Sequence, residues 1–153
     1  MGGEDGVGGL LAKASRAFEM KEFAKALDAL SDAEDILARA GRSAAGADLV
    51  AGIENLKGFN YLGLNDLDAA KTSFEKALQA DPFSSQACAG LGETFFVAAM
   101  DKEAKTMYEL AVMNDPDNPM GVTGLTKVNR QLGFPESHTT LAGQMGMPAG
   151  DQG

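Results

Sequence analysis

Apolar residues recur at intervals of three and four along the middle of the chain, which is the spacing of an amphipathic helix. Two segments carry this pattern most clearly: Leu67, Ala70, Phe74, Ala77 and Leu78, and then Ala104, Tyr108, Ala111 and Val112. A second helical pattern precedes each of them, with Ile53, Leu56, Phe59 and Leu62 before the first and Leu91, Phe95, Phe96 and Ala99 before the other. The spacing therefore predicts two helical hairpins, at residues 51–84 and 85–118.

The two hairpins are copies of each other at a constant offset. The distance along the chain from Pro82 to Pro116 also separates every other shared pair, and we call it the repeat offset. A fixed offset in the range of about 20–50 residues is typical of proteins built from stacked supersecondary units. Each proline ends a second helix, because its ring disfavours helical geometry in the preceding residue. At the other end, Asn65-Asp66 and Asp101 are expected to cap the second helices through short acceptor side chains.

The positions that the copies share form a recognisable series of small, aromatic and proline residues. The series is Gly58, Tyr61, Ala70, Phe74, Ala77 and Pro82 in one copy, and Gly92, Phe95, Ala104, Tyr108, Ala111 and Pro116 in the other. This pattern resembles the tetratricopeptide repeat. The resemblance implies an all-α fold, a right-handed superhelix (α-solenoid) of about three such helical hairpins plus a C-terminal capping helix.

The rest of the chain follows the repeat less closely. A weaker third copy spans residues 7–40, with Ala17 and Leu30 in place of the two aromatics and no terminal proline. Ten extra residues, 41–50, then break the period; their alanines favour a lengthened helix and their glycines favour a loop, and both alternatives stay open. Residues 119–133 are predicted to form the capping helix. The first six residues are predicted to be flexible, and residues 134–153 to be a disordered tail.

Packing within the predicted hairpins follows from the small residues. Where two helices cross, Gly58 is expected to face Ala70, and Gly92 to face Ala104. The four repeat aromatics are predicted to be core residues, because large rings bury much area at little entropic cost. These aromatics are Tyr61, Phe74, Phe95 and Tyr108. The resemblance also places the single cysteine, Cys88, on an inward position, where a small apolar role fits best.

Composition and charge exclude several classes of function. The net charge of −9 repels nucleic-acid phosphate and anionic lipid, so neither nucleic-acid binding nor direct membrane insertion is expected. The single cysteine cannot form an internal disulfide, and no apolar run approaches the length of a membrane span. The start of the chain has no basic segment followed by an apolar core, so it does not resemble a secretory signal. These features together predict a cytoplasmic protein.

Catalytic and metal-binding chemistry has little support in the sequence. The only histidine, His138, has no cysteine or second histidine at ligand spacing. A glycine-rich stretch at Gly90 lacks the third glycine of a nucleotide-binding fingerprint, because Phe95 stands there. Another stretch, at Asp115, lacks the glycine and glutamate of a calcium loop and is interpreted as a capped helix junction. We therefore expect no enzyme activity, no metal and no cofactor.

A binding groove is what the resemblance implies for function, because family members generally hold a peptide or helix of another protein along their first helices. The corresponding positions here are Leu11, Ser15, Phe18, Asn55, Leu56, Phe59, Leu62, Gln86, Glu93, Phe96 and Val97. The apolar part of this groove would consist of Phe59, Leu62, Phe96 and Val97, with Asn55 and Glu93 at its rim. Such a groove suits an apolar or amphipathic segment, including one with a basic residue.

One family subgroup captures the C-terminal carboxylate of heat-shock proteins with lysine, arginine and asparagine, and this chain departs from that pattern. It has Leu11, Ser15, Leu56, Gln86 and Gly90 at those places. We therefore expect no carboxylate capture.

The leading hypothesis is a non-enzymatic scaffold or adaptor that binds a protein or peptide partner. Two alternatives stay open. One is a small acidic chaperone resembling those of type III secretion translocators, and the other is an accessory region of a larger enzyme such as a glycosyltransferase or methyltransferase. Self-association by end-to-end stacking of repeats into a homo-oligomer is a further prediction.

Overall fold

A computed structural model describes residues 6–41 and 44–134, and it contains helices and no strand within those ranges. The helices are α1 (Val7–Glu19), α2 (Phe23–Ala40), α3 (Ala44–Gly63), α4 (Leu67–Ala80), α5 (Ser85–Val97), α6 (Asp101–Asn114) and α7 (Pro119–Leu132). The predicted all-α helical repeat fold is thus confirmed, whereas the superhelical arrangement stays a prediction. None of the helices in the described part of the chain is long and apolar enough to cross a membrane.

The chain separates into two compact units, with the boundary between Ser84 and Ser85. In unit 1, α1 packs against α2, α2 against α3, and α3 against α4. In unit 2, α5 packs against α6, and α7 contacts both of them. The single solenoid domain predicted for residues 7–133 therefore comprises two units, and each is described by itself.

The turn inside each hairpin has the same backbone geometry in all three copies. Lys21, Asn65 and Ala99 each adopt a left-handed conformation, with φ of 61°, 58° and 62°. The amide of the following residue then donates a hydrogen bond to the carbonyl five residues before it, as from Asp66 to Tyr61 and from Met100 to Phe95. This is the geometry of a Schellman end. The weak first copy therefore makes the same turn as the two clear ones.

The predicted capping helix ends in the same way as the first helix of a hairpin. Gly133, one repeat offset after Ala99, has a φ of 82°, and Phe134 N donates to the carbonyl of Asn129. Phe134, which was assigned to the tail, lies under the ammonium of Lys105, with 4.9 Å from Nζ to the ring centroid. The remaining tail, 135–153 including His138, lies outside the described residues, as does most of the predicted flexible start.

The second helices of the two clear hairpins begin differently. Asp66 caps α4 as predicted, since its side chain accepts a hydrogen bond from Ala69 N. The prediction for Asp101 was wrong: Met100 is the N-cap of α6, without a side-chain hydrogen bond, and Asp101 is already helical. The repeat offset explains this difference, because the position that corresponds to Asp66 in the other copy is Met100. Asp101 still favours the helix electrostatically from its first turn.

Each glycine at a helix crossing makes room for an aromatic ring. A Cβ built on Gly58 would lie 2.6 Å from the Phe74 ring, and one on Gly92 would lie 2.6 Å from the Tyr108 ring. The predicted partners, Ala70 and Ala104, are buried but are not the nearest neighbours. The crossing therefore needs glycine because a ring from the second helix occupies the space that a Cβ would fill.

The repeat aromatics divide into two classes of burial. Phe74 and Tyr108 are completely buried, as predicted, whereas Tyr61 and Phe95 are only half-buried. Cys88 is buried as a thiol, and its sulfur lies 3.9 Å from Asn114 Nδ2.

The ten-residue insertion is largely helical. Residues 44–50 are the start of α3, which makes this 20-residue helix the longest in the described part of the chain. The lengthened helix, which the alanines favour, is therefore the correct alternative for residues 44–50, and these seven residues add about two turns. Gly41, with a φ of 82°, ends α2.

Candidate interaction surfaces

The structure places every predicted groove residue on the first helix of its hairpin. In unit 1, α1 carries Leu11, Ser15 and Phe18, and α3 carries Asn55, Leu56, Phe59 and Leu62. In unit 2, α5 carries Gln86, Glu93, Phe96 and Val97. We call these two sets the first-helix faces of unit 1 and unit 2.

One position of the first helix carries a large apolar residue in every hairpin. Phe18, Leu62 and Phe96 occupy this position, and all three are half-buried. Leu62 and Phe96 are separated by one repeat offset, and the spacing from Phe18 to Leu62 is longer by the insertion. The ring of Phe18 packs at 5.8 Å, between centroids, against Phe23 of its own hairpin. Each of these side chains therefore keeps part of its apolar surface in water.

Other apolar members of the unit 1 face also support the core. The ring of Phe59 meets Phe74 edge to face, with centroids 4.9 Å apart and planes at 73°. Leu11 and Leu56 pack at the edge of the hydrophobic cluster that α1, α2 and α3 share. Substitution of these residues would therefore change stability as well as the surface.

Asn55 does not belong to an exposed rim, so that part of the prediction was wrong. The residue is buried, and its Nδ2 donates to Ser84 Oγ at 3.2 Å. Its Oδ1 is buried without a hydrogen-bond partner. Burial accompanies the packing of α4 on α3 and the contact with Ser84, which follows α4 and accepts the hydrogen bond from the amide.

The unit 2 face combines an aromatic ring with two charges. Tyr108 donates to Glu93 Oε2 at 2.6 Å, and Lys127 Nζ lies 3.6 Å from the same oxygen. That ammonium also lies 5.0 Å from the centroid of the Phe96 ring, which is a cation–π distance. Burial, followed by the hydrogen bond to Glu93, raises the pKa of Tyr108 above its usual value, so the hydroxyl remains a donor.

Lys127 was missed by the sequence interpretation, although a signal was present. It stands one repeat offset after Glu93, so the repeat register continued into α7 would have placed it at the corresponding position. The predicted capping helix therefore contributes a cation to this face.

Unit 1 also contains a groove of about 740 Å³ that the sequence did not predict. We call it the acidic groove. It is lined by the C-terminal part of α2, the added turns of α3 and the end of α4. Its lining residues are Glu34, Leu37, Ala38, Gly41, Gly46, Ala47, Val50, Ile53, Glu54, Lys76, Gln79 and Ala80.

Two glutamates and a lysine lie together in this part of unit 1. Lys57 Nζ lies 2.9 Å from Glu34 Oε1 and 3.6 Å from Glu54 Oε1. The other oxygen of Glu54, Oε2, is buried and has no hydrogen-bond partner. Burial, followed by a side-chain hydrogen bond with Glu34, raises the pKa of Glu54 to about 7.

The pKa of Glu34 is lowered and that of Lys57 is raised, as expected for groups that form an ion pair. Burial opposes ionisation of Glu34, but its interactions with Glu54 and Lys57 lower its pKa. Burial likewise opposes the charge on Lys57, whereas the two glutamates raise its pKa. The carboxyl group of Glu54 therefore takes up a proton at a higher pH than that of Glu34. Within the described ranges, no group of three or more His, Cys, Asp and Glu residues could hold a metal ion.

Comparison with known proteins agrees with this architecture. A family model described as tetratricopeptide repeat matches residues 61–127. The TPR domain of Sgt2 from Aspergillus fumigatus is 24% identical, covering 83% of this chain and 79% of that one with a TM-score of 0.71. The second TPR domain of human RPAP3, in complex with HSP70 peptide SGPTIEEVD, is 20% identical, covering 78% and 92% with a TM-score of 0.64.

A third similar structure is MamA, 12% identical, covering 98% of this chain and 82% of that one with a TM-score of 0.70. At these identities the likeness shows a shared fold. Comparison with curated proteins gave no match. The matched family model, the repeat series and the hairpin turns identify residues 61–127 as tetratricopeptide repeat sequence, and the solved structures share the fold.

Proposed function

We propose that this protein is a non-enzymatic interaction module, a scaffold or adaptor that binds an apolar or amphipathic segment of a partner on its first-helix faces. The observation that carries the proposal is the recurrence of a half-exposed large apolar residue at one repeat position, Phe18, Leu62 and Phe96. Folding of a hairpin does not require its apolar side chains to stay in water. Their repeated exposure is better explained by burial against a partner.

The free energy available from such burial is moderate. Covering apolar surface contributes about 25 cal/mol per Å², so completing the burial of several half-exposed side chains contributes a few kcal/mol before the costs of association. Peptide binding by a similar domain supports this class of function, since the related human RPAP3 domain was solved with an HSP70 peptide. The likeness supports the class of ligand and not its sequence.

The expected partner is neutral or basic. This chain carries a net charge of −9, and Glu93 lies on the unit 2 face. Lys127, whose ammonium lies over the Phe96 ring, already pairs with Glu93. An acidic peptide ending in EEVD, such as the one bound by RPAP3, should therefore bind this protein far more weakly than an amphipathic peptide without acidic residues.

The test needs variants that alter the face without unfolding the chain. Phe59 is a poor choice because its ring packs on the buried Phe74. Val97 is better, since it is 49% exposed at the end of α5, and Leu110 of α6, at 39%, provides a matched control. We expect Val97→Glu to lose partners captured from source cells and Leu110→Glu to retain them, with the melting temperature of both close to wild type.

Retention of the same partners by Val97→Glu combined with Leu62→Glu, in a folded chain, would contradict the proposal. No feature of the described residues favours the chaperone or the enzyme-accessory alternative, so the proposal stays with a scaffold or adaptor. Self-association also stays a prediction, and sedimentation velocity across a concentration range measures it.

A further inference from the structure

We propose that the unit 2 face selects a partner segment in which an asparagine or glutamine side chain lies next to the apolar side chain that contacts Phe96. The carboxamide of that residue hydrogen-bonds to both Glu93 and Lys127, and Tyr108 is the positioning residue that holds this pair. The inference rests on the proposed function, because it names the chemistry that one of the two first-helix faces recognises.

The two clear hairpins differ at one pair of positions whose side chains touch in both. In unit 1 the pair is Phe59 and Phe74, and their rings meet edge to face. One repeat offset later the pair is Glu93 and Tyr108, and the tyrosine hydroxyl donates to Glu93 Oε2 at 2.6 Å. Unit 2 therefore has a hydrogen-bonded carboxylate on its face at the position where unit 1 has an apolar ring.

Tyr108 holds this carboxylate from the core side. Its ring is completely buried and occupies the space that a Cβ on Gly92 or Gly124 would need, so packing fixes the direction of its hydroxyl. The side chain of Glu93, in contrast, is 28% exposed. A carboxylate that is already held by a buried donor loses less conformational entropy when it binds a partner.

The last helix, α7, adds a cation beside this carboxylate. Lys127 Nζ lies 3.6 Å from Glu93 Oε2 and 5.0 Å from the centroid of the Phe96 ring, and the lysine side chain is 43% exposed. A separation of 3.6 Å is too long for a hydrogen bond. Within the described residues, the ammonium and Glu93 Oε1 therefore both keep their hydrogen-bonding capacity. A donor and an acceptor thus lie side by side next to an apolar ring.

The neutrality of this pair determines which side chain it accepts. A partner carboxylate would meet the like charge of Glu93, and a partner ammonium would meet that of Lys127. A carboxamide carries an N–H₂ donor and a C=O acceptor without a charge. It can donate to Glu93 Oε1 and accept from Lys127 at once, and both hydrogen bonds are charge-assisted. The neighbouring apolar side chain then packs on Phe96 and on the half-exposed Val97.

The test uses four blocked peptides of leucine, alanine and serine that differ at one central position, which carries glutamine, methionine, glutamate or lysine. Methionine matches the length of glutamine and lacks the amide. Isothermal titration calorimetry at about pH 7.5 measures binding to the full chain. We expect wild type to bind the glutamine peptide about tenfold or more tightly than each of the other three. Equal affinities for the glutamine and methionine peptides would overturn the proposal.

Two variants that each remove one charge should shift the preference in opposite directions. Glu93→Met leaves the ammonium alone and should favour the glutamate peptide, whereas Lys127→Met leaves the carboxylate alone and should favour the lysine peptide, each by about fivefold or more. Glu103→Met and Lys102→Met, at exposed positions of α6, make the same changes in net charge and should keep the preference for glutamine. Equal shifts in the control variants, or no shift in the first two, would overturn the proposal.

A third variant tests the positioning role of Tyr108. Tyr108→Phe removes only the hydroxyl, and the buried Phe74 shows that phenylalanine fits this repeat position. The ratio of the affinities for the glutamine and methionine peptides should fall from about tenfold to about threefold or less. A change in stability alone does not alter this ratio, because both peptides bind the same folded chain. An unchanged ratio would overturn the positioning role.

Failure of this inference and failure of the proposed function give different results. Val97→Glu should weaken binding of the glutamine, methionine and lysine peptides alike, and Leu110→Glu should leave their binding unchanged. If wild type binds all four peptides equally and Val97→Glu weakens their binding, the first-helix proposal stands and the carboxamide preference is overturned. If wild type binds none of the four peptides, both proposals are overturned.

Discussion

Two junctions that follow the second helix of a hairpin, α6–α7 and α2–α3, differ in how their residues are held. In unit 2, α6 passes to α7 through a short segment that a chain of hydrogen bonds holds in place. Asn118 Oδ1 accepts from Gly121 N at 2.9 Å, and its Nδ2 donates to Ser85 Oγ at 2.8 Å. Ser85 Oγ in turn donates to the carbonyl of Ala111 at 2.8 Å. Here the asparagine caps one helix and ties it to two others.

In unit 1 the corresponding junction, between α2 and α3, contains the insertion. The added turns of α3 border the acidic groove, and the buried polar group there, Glu54, keeps one oxygen without a partner. We call the α6–α7 junction closed, because hydrogen bonds tie its residues together, and the α2–α3 junction open, because the described residues on either side of it border a groove.

The largest expected effect compares the two lysines that pair with glutamate after each junction. The side chain of Lys57 is 17% exposed and holds both Glu34 and Glu54, whereas that of Lys127 is 43% exposed. Lys57→Met should lower the free energy of unfolding by about 2–3 kcal/mol, because it leaves two partly buried carboxyl groups unpaired. Lys127→Met should cost about 0–1 kcal/mol. Urea denaturation measures both, and equal losses would remove the distinction between the junctions.

A second comparison uses two glycines in the helices that follow the junctions. A Cβ on Gly124 of α7 would overlap the Tyr108 ring, while nothing lies within 4 Å of a Cβ on Gly52 of α3. Gly124→Ala should therefore destabilise the protein by about 2 kcal/mol through overpacking. Gly52→Ala should stabilise it by up to about 1 kcal/mol through helix propensity. Thermal melts test the opposite signs, and stabilisation by Gly124→Ala would refute the packing around Tyr108.

A third prediction concerns pH and the open junction. The pKa of Glu54 is about 7 in the folded protein and near the ordinary value of 4.5 once unfolded. The folded state therefore keeps a proton that the unfolded state has lost, and this contribution to stability disappears as pH rises through about 7. Between about pH 5 and 8, wild type should lose about 1–2 kcal/mol relative to Glu54→Gln. Parallel stability curves for the two proteins would contradict the assigned environment of Glu54.

The smallest expected effect tests the closed junction. Asn118→Ala removes the cap of α7 and the hydrogen bond to Ser85, so it should cost about 1 kcal/mol. Asp117→Ala, one residue earlier and exposed, serves as the control and should have little effect. Chemical denaturation followed by circular dichroism measures both changes. A loss no greater in Asn118→Ala than in Asp117→Ala would show that the network does not hold the junction.

The repeat pattern predicted the fold better than it predicted individual contacts. The hairpins and the complete burial of Phe74 and Tyr108 follow from helical spacing and the constant repeat offset. The contact of Gly58 with Phe74 could not be predicted in this way. The pattern requires a small residue at the crossing but does not specify which side chain lies against it. The predicted cap, Asp101, is one residue after the actual N-cap, Met100. The backbone turn decides at which residue the helix begins.

The candidate surfaces could be predicted only in part. Phe18, Leu62 and Phe96 were identified from the repeat register, but the burial of Asn55 was not, because it depends on packing by α4 and on Ser84. Lys127 could have been identified by extending the same repeat register into α7. Glu54 had no signal in the sequence that separated it from the other acidic residues of the chain.

By itself, the sequence determined the helices, their pairing into hairpins and the places where most of them begin and end, because these depend on local spacing, caps and prolines. The tertiary structure alone decided which apolar side chains stay half-exposed and where a groove opens. It also brought Glu34 and Glu54 together from different helices across the insertion. Burial and pairing of this kind depend on how helices pack on one another, and no short stretch of sequence encodes that.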